Sequence, residues 1–359
     1  TREGAVTVIH AVAPGSIIRR ELEARDWTQH QVAEVMGRPL KSLNEIIAGK
    51  KQITAETAAE LGRAFGTSAE LWLNMEGRYR LSLAQTPEAE QRLRAIAERS
   101  NLLAAVPCVE DLEARGWLGA DDATRSLTER VCDFFGVETL ADLAQPTAAG
   151  AFRVSPSSTA PATTLLAYVR GVEIEAAAVQ AAEYRVEALR AGLGDLLVLT
   201  RDVAAVAQVP AALARLGVRF VRVPALSKAR IEGVMLRRAP SPIVAVSGRL
   251  PGHDKFWFTL LHELAHLLLG HGDHLELEPD PQLSNDLEDQ ANRTAADWLI
   301  SPVAYQRFVA GMPRNRSARA VRHFADQVGR HPGIVVGRLQ RDGHLPYTHL
   351  NGLKAKLPT

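Results

Sequence analysis

Cysteine is nearly missing from this chain: only Cys108 and Cys132 occur, 24 positions apart. That spacing fits no zinc ribbon or redox motif, and a secreted disulfide scaffold would need more thiols. Both read as small core residues in a reducing compartment. Excess charge is missing too. Lys and Arg total 42 against 41 Asp and Glu, a formal net charge of +1. No global field therefore recruits nucleic acid or membrane, and any basic surface must be local. No apolar run approaches the roughly 20 residues needed to span a bilayer. The opening Thr1-Arg2-Glu3-Gly4 has no signal-peptide pattern, so the cytoplasm is the expected compartment. There are no internal repeats.

What is present is an ordinary soluble composition, 46% hydrophobic and 23% charged over 359 residues, enough for two or three domains. The pattern predicts a mainly α chain with a small β component, an α+β protein. Residues 1–85 read as short helices: Gly15–Arg25, a second opened by a Thr28/Gln31 capping box and ending at Val35, then Leu40–Ala48, Thr54–Phe65 and Ser68–Arg78. Residues 86–165 read as a helical connecting region that closes on the linker-like Ser155-Pro-Ser-Ser-Thr-Ala-Pro161. Residues 166–302 hold a helix over Glu173–Leu189 and two strand-like runs, Gly217–Val223 and Pro242–Ser247. Apolar helices follow over Phe256–Gly270 and about Leu287–Ile300. Residues 303–359 form a helical extension, broken around Pro332-Gly333 and Pro346.

The helix over Phe256–Gly270 is apolar on every face, which predicts burial, yet its middle reads His262-Glu263-Leu264-Ala265-His266. Two imidazoles and a carboxylate are costly in an apolar interior unless something satisfies them. Positions i and i+4 share one helical face, so both imidazoles can address one cation. Glu263 projects about 100° away, where it can act on a water without ligating the ion. A catalytic zinc needs a third protein ligand, and the candidates downstream are Asp273, Glu276, Glu278, Asp280, Asp286, Glu288 and Asp289, with His271 and His274 competing.

The segments Phe258-Thr-Leu-Leu-His-Glu-Leu-Ala-His-Leu-Leu-Leu269 and Leu287-Glu-Asp-Gln-Ala-Asn-Arg-Thr-Ala-Ala-Asp-Trp-Leu-Ile-Ser-Pro302 resemble the ImmA/IrrE metallopeptidases. The latter segment is similar to that family's E-x-x-A-N-x-x-A-A-x-x-L-x-x-P pattern, with Thr294 where phenylalanine is usual. The resemblance implies a gluzincin-like domain with one Zn2+ per chain, its leading glutamate, here Glu288, ligating the metal. It also implies cleavage of a repressor- or antitoxin-like protein under stress or mobile-element control. Helical faces favour the same residue. Glu288 shares a face with Ala291, Asn292, Ala295 and Leu299, small enough for close approach to the His262–His266 helix. Asn292, one turn on, is placed to orient the carboxylate. Glu276 and Glu278 lie among Pro279 and Pro281, which forbid a regular helix there.

In the N-terminal region, Gln29–Val35, a break, then Leu40–Ala48 has helix-turn-helix spacing. Arg38-Pro-Leu-Lys-Ser-Leu-Asn-Glu-Ile-Ile-Ala-Gly-Lys-Lys51, with Ile53-Thr-Ala-Glu-Thr57 and Leu71-Trp-Leu-Asn74, resembles HigA-like antitoxins of the XRE type. The resemblance turns the second helix of the pair to the major groove, exposing Lys41, Ser42, Asn44 and Glu45, with Lys50 and Lys51 set to meet phosphates. Acids and bases nearly balance over 1–85, so the alternative use of this domain is dimerisation or partner docking.

Two functions compete. The first is a regulatory zinc endopeptidase, Glu263 its general base, targeted by a DNA- or partner-binding domain and acting as a homodimer on duplex DNA. The second is a HigA-like repressor or antitoxin whose metal domain senses a signal or binds a toxin without proteolysis. His323, Tyr305 and Tyr347 are candidates to polarise a substrate carbonyl, and nothing in the sequence singles one out. The arginines at 314, 316, 319 and 322 read as a solvated helix face, and Trp257, Trp298 and Leu267–Leu269 as core.

Overall fold

A computed structural model describes residues 11–119, 125–144, 153–154, 161–227, 229, 231–247, 252–272, 274–277, 286–311 and 317–357. The chain forms two compact units, Thr1–Arg99 and Ser100–Thr359. The division falls inside a helix, Pro87–Ala105, rather than at 85/86.

The first unit contains α1 (Pro14–Arg25), α2 (Gln29–Val35), α3 (Leu40–Ile47), α4 (Ala55–Phe65), α5 (Ala69–Ala84) and the start of α6 (Pro87–Ala105). Local chemistry sets the helix starts. Thr28 Oγ1 accepts from the Gln31 amide while Gln31 Oε1 accepts from the Thr28 amide at 2.8 Å, the reciprocal box read from the sequence. Thr54 and Ser68 cap α4 and α5 with a single bond each, their side-chain oxygens accepting from the Thr57 and Leu71 amides. Each helix lays an apolar stripe inward: Ile18 and Leu22, Val32, Leu43 with Ile46 and Ile47, Leu61 with Phe65, then Trp72. Trp72, 1% exposed, donates its Nε1–H to Thr67 Oγ1 at 2.8 Å, so its one polar atom is satisfied. α5 runs six residues beyond the expected Arg78, to Ala84.

The second unit is a mixed sheet with helices on both faces. Its helices are α7 (Val109–Ala114), α8 (Leu127–Phe135), α9 (Ala162–Ala177), α10 (Val186–Val198), α11 (Val209–Arg215), α12 (His253–Leu269), α13 (Asp286–Leu299), α14 (Pro302–Gly311), α15 (Ala318–Val328) and α16 (Pro332–Arg341). Its strands are β1 (Arg153–Val154), β2 (Arg219–Arg222), β3 (Ile231–Leu236), β4 (Ile243–Val246) and β5 (His274–Leu277), in the order β1-β5-β3-β4-β2. β3 runs antiparallel to β4 and β5, while β2–β4 and β1–β5 are parallel.

Successive strand residues alternate between two cores, as period-2 geometry requires. Phe220, Met235, Val244 and Val246 join α10, α11, α12, α15 and α16 on one face. Val221, Val234, Leu236, Ile243 and Ala245 join α7, α8 and α9 on the other. Leu102, Val106, Leu112, Trp117, Val131 and Phe134, from the region expected to be a connecting one, therefore build one face of this unit. Residues of the expected C-terminal extension, among them Val321, Phe324, Ile334 and Val336, build the other face beside α12. Both cysteines are buried and free.

Two sequence expectations need correction. Glu173–Leu189 is not one helix: α9 ends at Ala177 and α10 begins at Val186. Between them the Ala182 amide donates to Ala214 O at 2.8 Å, and Ser241 Oγ to Ala182 O, so tertiary partners override helix propensity. The expected break near Pro332 is present: α15 ends at Val328, and Pro332 opens α16 at its first turn, where its missing N–H costs nothing. Leu269 closes α12 and is 37% exposed, while Trp298 is half-buried. The linker residues 155–160 lie outside the described residues.

Candidate metal centre and nucleic-acid interface

Thirteen of the 17 residues of α12 are buried, which makes any polar atom on it expensive. His262, Glu263 and His266 are 0%, 0% and 1% exposed. The i, i+4 spacing brings His262 Nε2 and His266 Nε2 to 2.9 Å of each other. α13 packs along α12 through Ala291, Ala295 and Leu299, all buried, and this small-residue face carries Glu288 to the pair. Glu288 Oε2 lies 3.3 Å from His262 Nε2 and 3.7 Å from His266 Nε2. His262, His266 and Glu288 are the one cluster of three metal-ligating side chains among the described residues.

The donor set fits zinc. Two imidazole nitrogens and a carboxylate oxygen are ligand types that zinc takes, and bonds of about 2.0–2.2 Å at tetrahedral angles put ligand atoms about 3.3 Å apart. The three observed separations bracket that value. The three groups bring lone pairs to one point at the edge of an apolar interior, the Glu288 side chain 30% exposed, and a divalent cation there would engage all of them.

A further layer supports the first. His266 Nδ1 lies 2.8 Å from His271 Nδ1, so a hydrogen bond at one ring nitrogen leaves the other facing the cluster. The turn that brings His271 back is set by Gly270 at φ 78°, a left-handed cap that few other residues adopt cheaply. The His271 amide then donates to His266 O at 3.0 Å. Arg237, just past β3, clamps the same turn, donating to His271 O at 2.7 Å and Leu267 O at 3.0 Å. Sequence reasoning gives His271 only as a rival ligand and misses Arg237. A histidine directly after a helix-ending glycine is the signal that could have marked it.

The other sequence candidates fall differently. Asp286 and Asp289 are exposed on α13. Glu276 belongs to β5, paired with Gly233, in keeping with the absence of a regular helix there. Asp273, Glu278 and Asp280 lie outside the described residues. Asn292 is half-buried, one turn along α13 from Glu288. Tyr305 is buried under the Arg338 guanidinium, 4.7 Å from its ring centre. His323 is exposed and 3.1 Å from Gln327, and Tyr347 is 71% exposed. Arg319 and Arg322 are exposed, and residues 314 and 316 lie outside the described residues. Arg341, also exposed, lies 4.0 Å over the Phe258 ring, which is 6.3 Å from that of His262. Positive charge thus stands near the metal cluster.

In the first unit, α3 buries Leu43, Ile46 and Ile47 and turns Lys41 and Asn44 outward, with Ser42 and Glu45 half-buried between. Lys50 and Lys51 are exposed beyond its C-terminus, their amides donating to Glu45 O. Lys51 Nζ also donates to Ser42 Oγ at 2.9 Å, so the two residues share one position on this surface. The result is a short, locally basic face with one acid in it.

Comparison with known proteins concerns this first unit. Residues 18–72 match the family model described as helix-turn-helix. Over 76 residues the chain is 38% identical to virulence-associated protein I of Dichelobacter nodosus, covering 21% of this chain and 70% of that protein. Over 83 residues it is 28% identical to the uncharacterized HTH-type transcriptional regulator YddM of Escherichia coli K12, covering 23% of this chain and 88% of that protein. The solved Pseudomonas aeruginosa antitoxin HigA with higBA promoter is 32% identical, covers 23% of this chain and 89% of that one, and has a TM-score of 0.22.

Proposed function

We propose that this chain, which belongs through its N-terminal unit to the helix-turn-helix family, is a transcription regulator of antitoxin type that binds duplex DNA. The observation that carries the reading is the second helix of the matched motif, α3, anchored by three buried apolar residues with Lys41 and Asn44 outward. A helix so held presents side chains to base edges, while Lys50 and Lys51 at its end neutralise phosphates. Dimerisation would set two half-sites about one turn apart. Selection of randomised duplexes with the full chain tests this. A salt-sensitive preferred sequence supports it, and no enrichment at low salt sinks it in favour of partner docking.

For the C-terminal unit we infer metal-assisted peptide hydrolysis, supported by three donors at separations suited to one tetrahedral ion. His262, His266 and Glu288 would hold one Zn2+, and bound zinc supplies Lewis-acid polarisation of a carbonyl and acidification of water. Glu263, on the neighbouring face of α12, takes the proton of the attacking water and delivers it to the leaving amine. The substrate class is a repressor- or antitoxin-like protein, in keeping with the resemblance to ImmA/IrrE peptidases. The antitoxin-like relatives of the N-terminal unit favour another reading, in which the metal unit senses a signal or grips a toxin without cleaving. Glu263 separates the two. Glu263→Gln should keep the metal and abolish cleavage if the unit is a peptidase, and should change neither metal content nor DNA release if it is a sensor.

A further inference from the structure

We propose that Gly233 is a positioning residue for Glu263: the bare backbone at this point of β3 makes the space that the Glu263 carboxylate occupies. The proposal's catalytic consequence rests on the peptidase reading above; its geometric content does not.

Gly233 sits inside the central strand of the sheet, opposite Val246 of β4 and Glu276 of β5. A glycine there weakens a strand and offers no side chain to pack, so its presence needs a reason. Two residues along, Met235 points into the core shared with α12, and period-2 geometry turns position 233 to the same face. The register with β5 also shifts between Ile231 and Gly233, the kind of irregularity that re-aims a strand beside a functional group. A Cβ at position 233 would stand 2.4 Å from Glu263 Oε1, 3.0 Å from Glu263 Cγ and 2.9 Å from Thr259 Cγ2. Carbon and oxygen do not approach to 2.4 Å without a bond, so any side chain at 233 must displace that carboxylate. Because Glu263 is 0% exposed, the displaced group has no solvent to swing into and must shift within the layer between β3 and α12. None of the three closest atoms belongs to His262, His266 or Glu288. The closest crowding from a side chain at 233 therefore falls on the base and on Thr259.

The test is a double-mutant cycle in the full-length chain with thermal melting as an activity-free readout. Gly233→Ala should lower the melting temperature in the wild-type background. In a Glu263→Ala background, where the crowded carboxylate is gone, the same change should cost less than half as many degrees. Zinc content of Gly233→Ala should match wild type. On any peptide that the wild-type chain cleaves from a fluorogenic library, kcat should fall about 100-fold with KM within about twofold, as a displacement near 1 Å at a reacting group does. If Gly233→Ala alone does not fold, recovery of folding in the double variant supports the positioning role equally. An equal thermal cost in both backgrounds, or loss of zinc, overturns the proposal and makes Gly233 a strand-packing residue. A wild-type chain that cleaves nothing sinks the peptidase reading, and the thermal cycle still decides the positioning.

Discussion

The ring of His271 stands against that of His266, Nδ1 to Nδ1 at 2.8 Å, on the side away from the metal cluster. One of these nitrogens donates to the other, which holds the His266 ring in place and leaves its Nε2 directed at His262 and Glu288. Outer partners of this kind typically contribute 10–100-fold to metal affinity. His271→Phe, which keeps a ring but no hydrogen bond, should therefore weaken zinc by about that factor without unfolding the unit. Competition against a chelator of known affinity measures it, and an unchanged zinc Kd would show that the contact is packing alone.

Glu288 and Asp289 are neighbours in sequence with different surroundings, one at the metal cluster and the other exposed. Glu288→Ala should lose most bound zinc and lower the holo melting temperature, because metal binding is coupled to the folded state. Asp289→Ala should do neither. Zinc measured on the purified variants decides it, and a zinc-replete Glu288→Ala protein would remove Glu288 from the ligand set.

The parts of this site that were legible in the sequence are those written in local periodicity. His262 and His266 stand one turn apart in an all-apolar helix, and Glu288 lies on the small-residue face of the next, so chemistry and packing point the same way. The N-terminal helices were legible for a similar reason, since Thr28, Thr54 and Ser68 announce their starts through hydrogen bonds three residues long. β3 was not legible. Ile231-Glu-Gly-Val-Met-Leu236 has neither alternation nor β-branched density, and its pairing with β4 and β5 makes it a strand. Gly233 and Arg237 gain their roles only from α12 crossing this strand, a relation between residues about 30 positions apart.

Lys50 and Lys51 are both exposed beyond α3, whereas Asn44 lies on the helix itself. Replacing both lysines with glutamate should weaken binding to all duplexes alike and reduce the salt dependence by about two phosphate contacts. Asn44→Ala should leave the salt slope unchanged and relax preference at one base pair, at a cost of about 1–3 kcal/mol. Anisotropy titrations at several salt concentrations distinguish them, and a double-lysine variant that binds like wild type would move the interface off this face.

His253, at the start of α12 and 0% exposed, gives the protein an acid-sensitive joint distinct from the metal cluster. Its Nε2 accepts a hydrogen bond from Trp257 Nε1 at 2.9 Å, and its own amide donates to Ala355 O, fastening the C-terminal segment to the helix. Burial, reinforced by His331 with its ring 4.9 Å away, pushes the His253 pKa down to about 4, against smaller opposing effects of Asp254 and Asp202. His331 is lowered too, chiefly by its own burial. Protonating His253 at Nε2 would also set its new N–H against that of Trp257. Between about 6.5 and 4 the unfolded chain therefore binds more protons than the folded one, so stability is complete above that window and falls as pH drops through it. For His253 alone the loss between pH 7 and pH 5 comes to about 2 kcal/mol, and His331 adds in the same direction. Urea denaturation of the zinc-free chain at the two pH values measures this without interference from the metal ligands' affinity. His253→Gln, which keeps an acceptor for Trp257, should flatten the difference by most of that amount. A variant that loses as much stability as wild type over the same interval would place the acid sensitivity elsewhere in the unit.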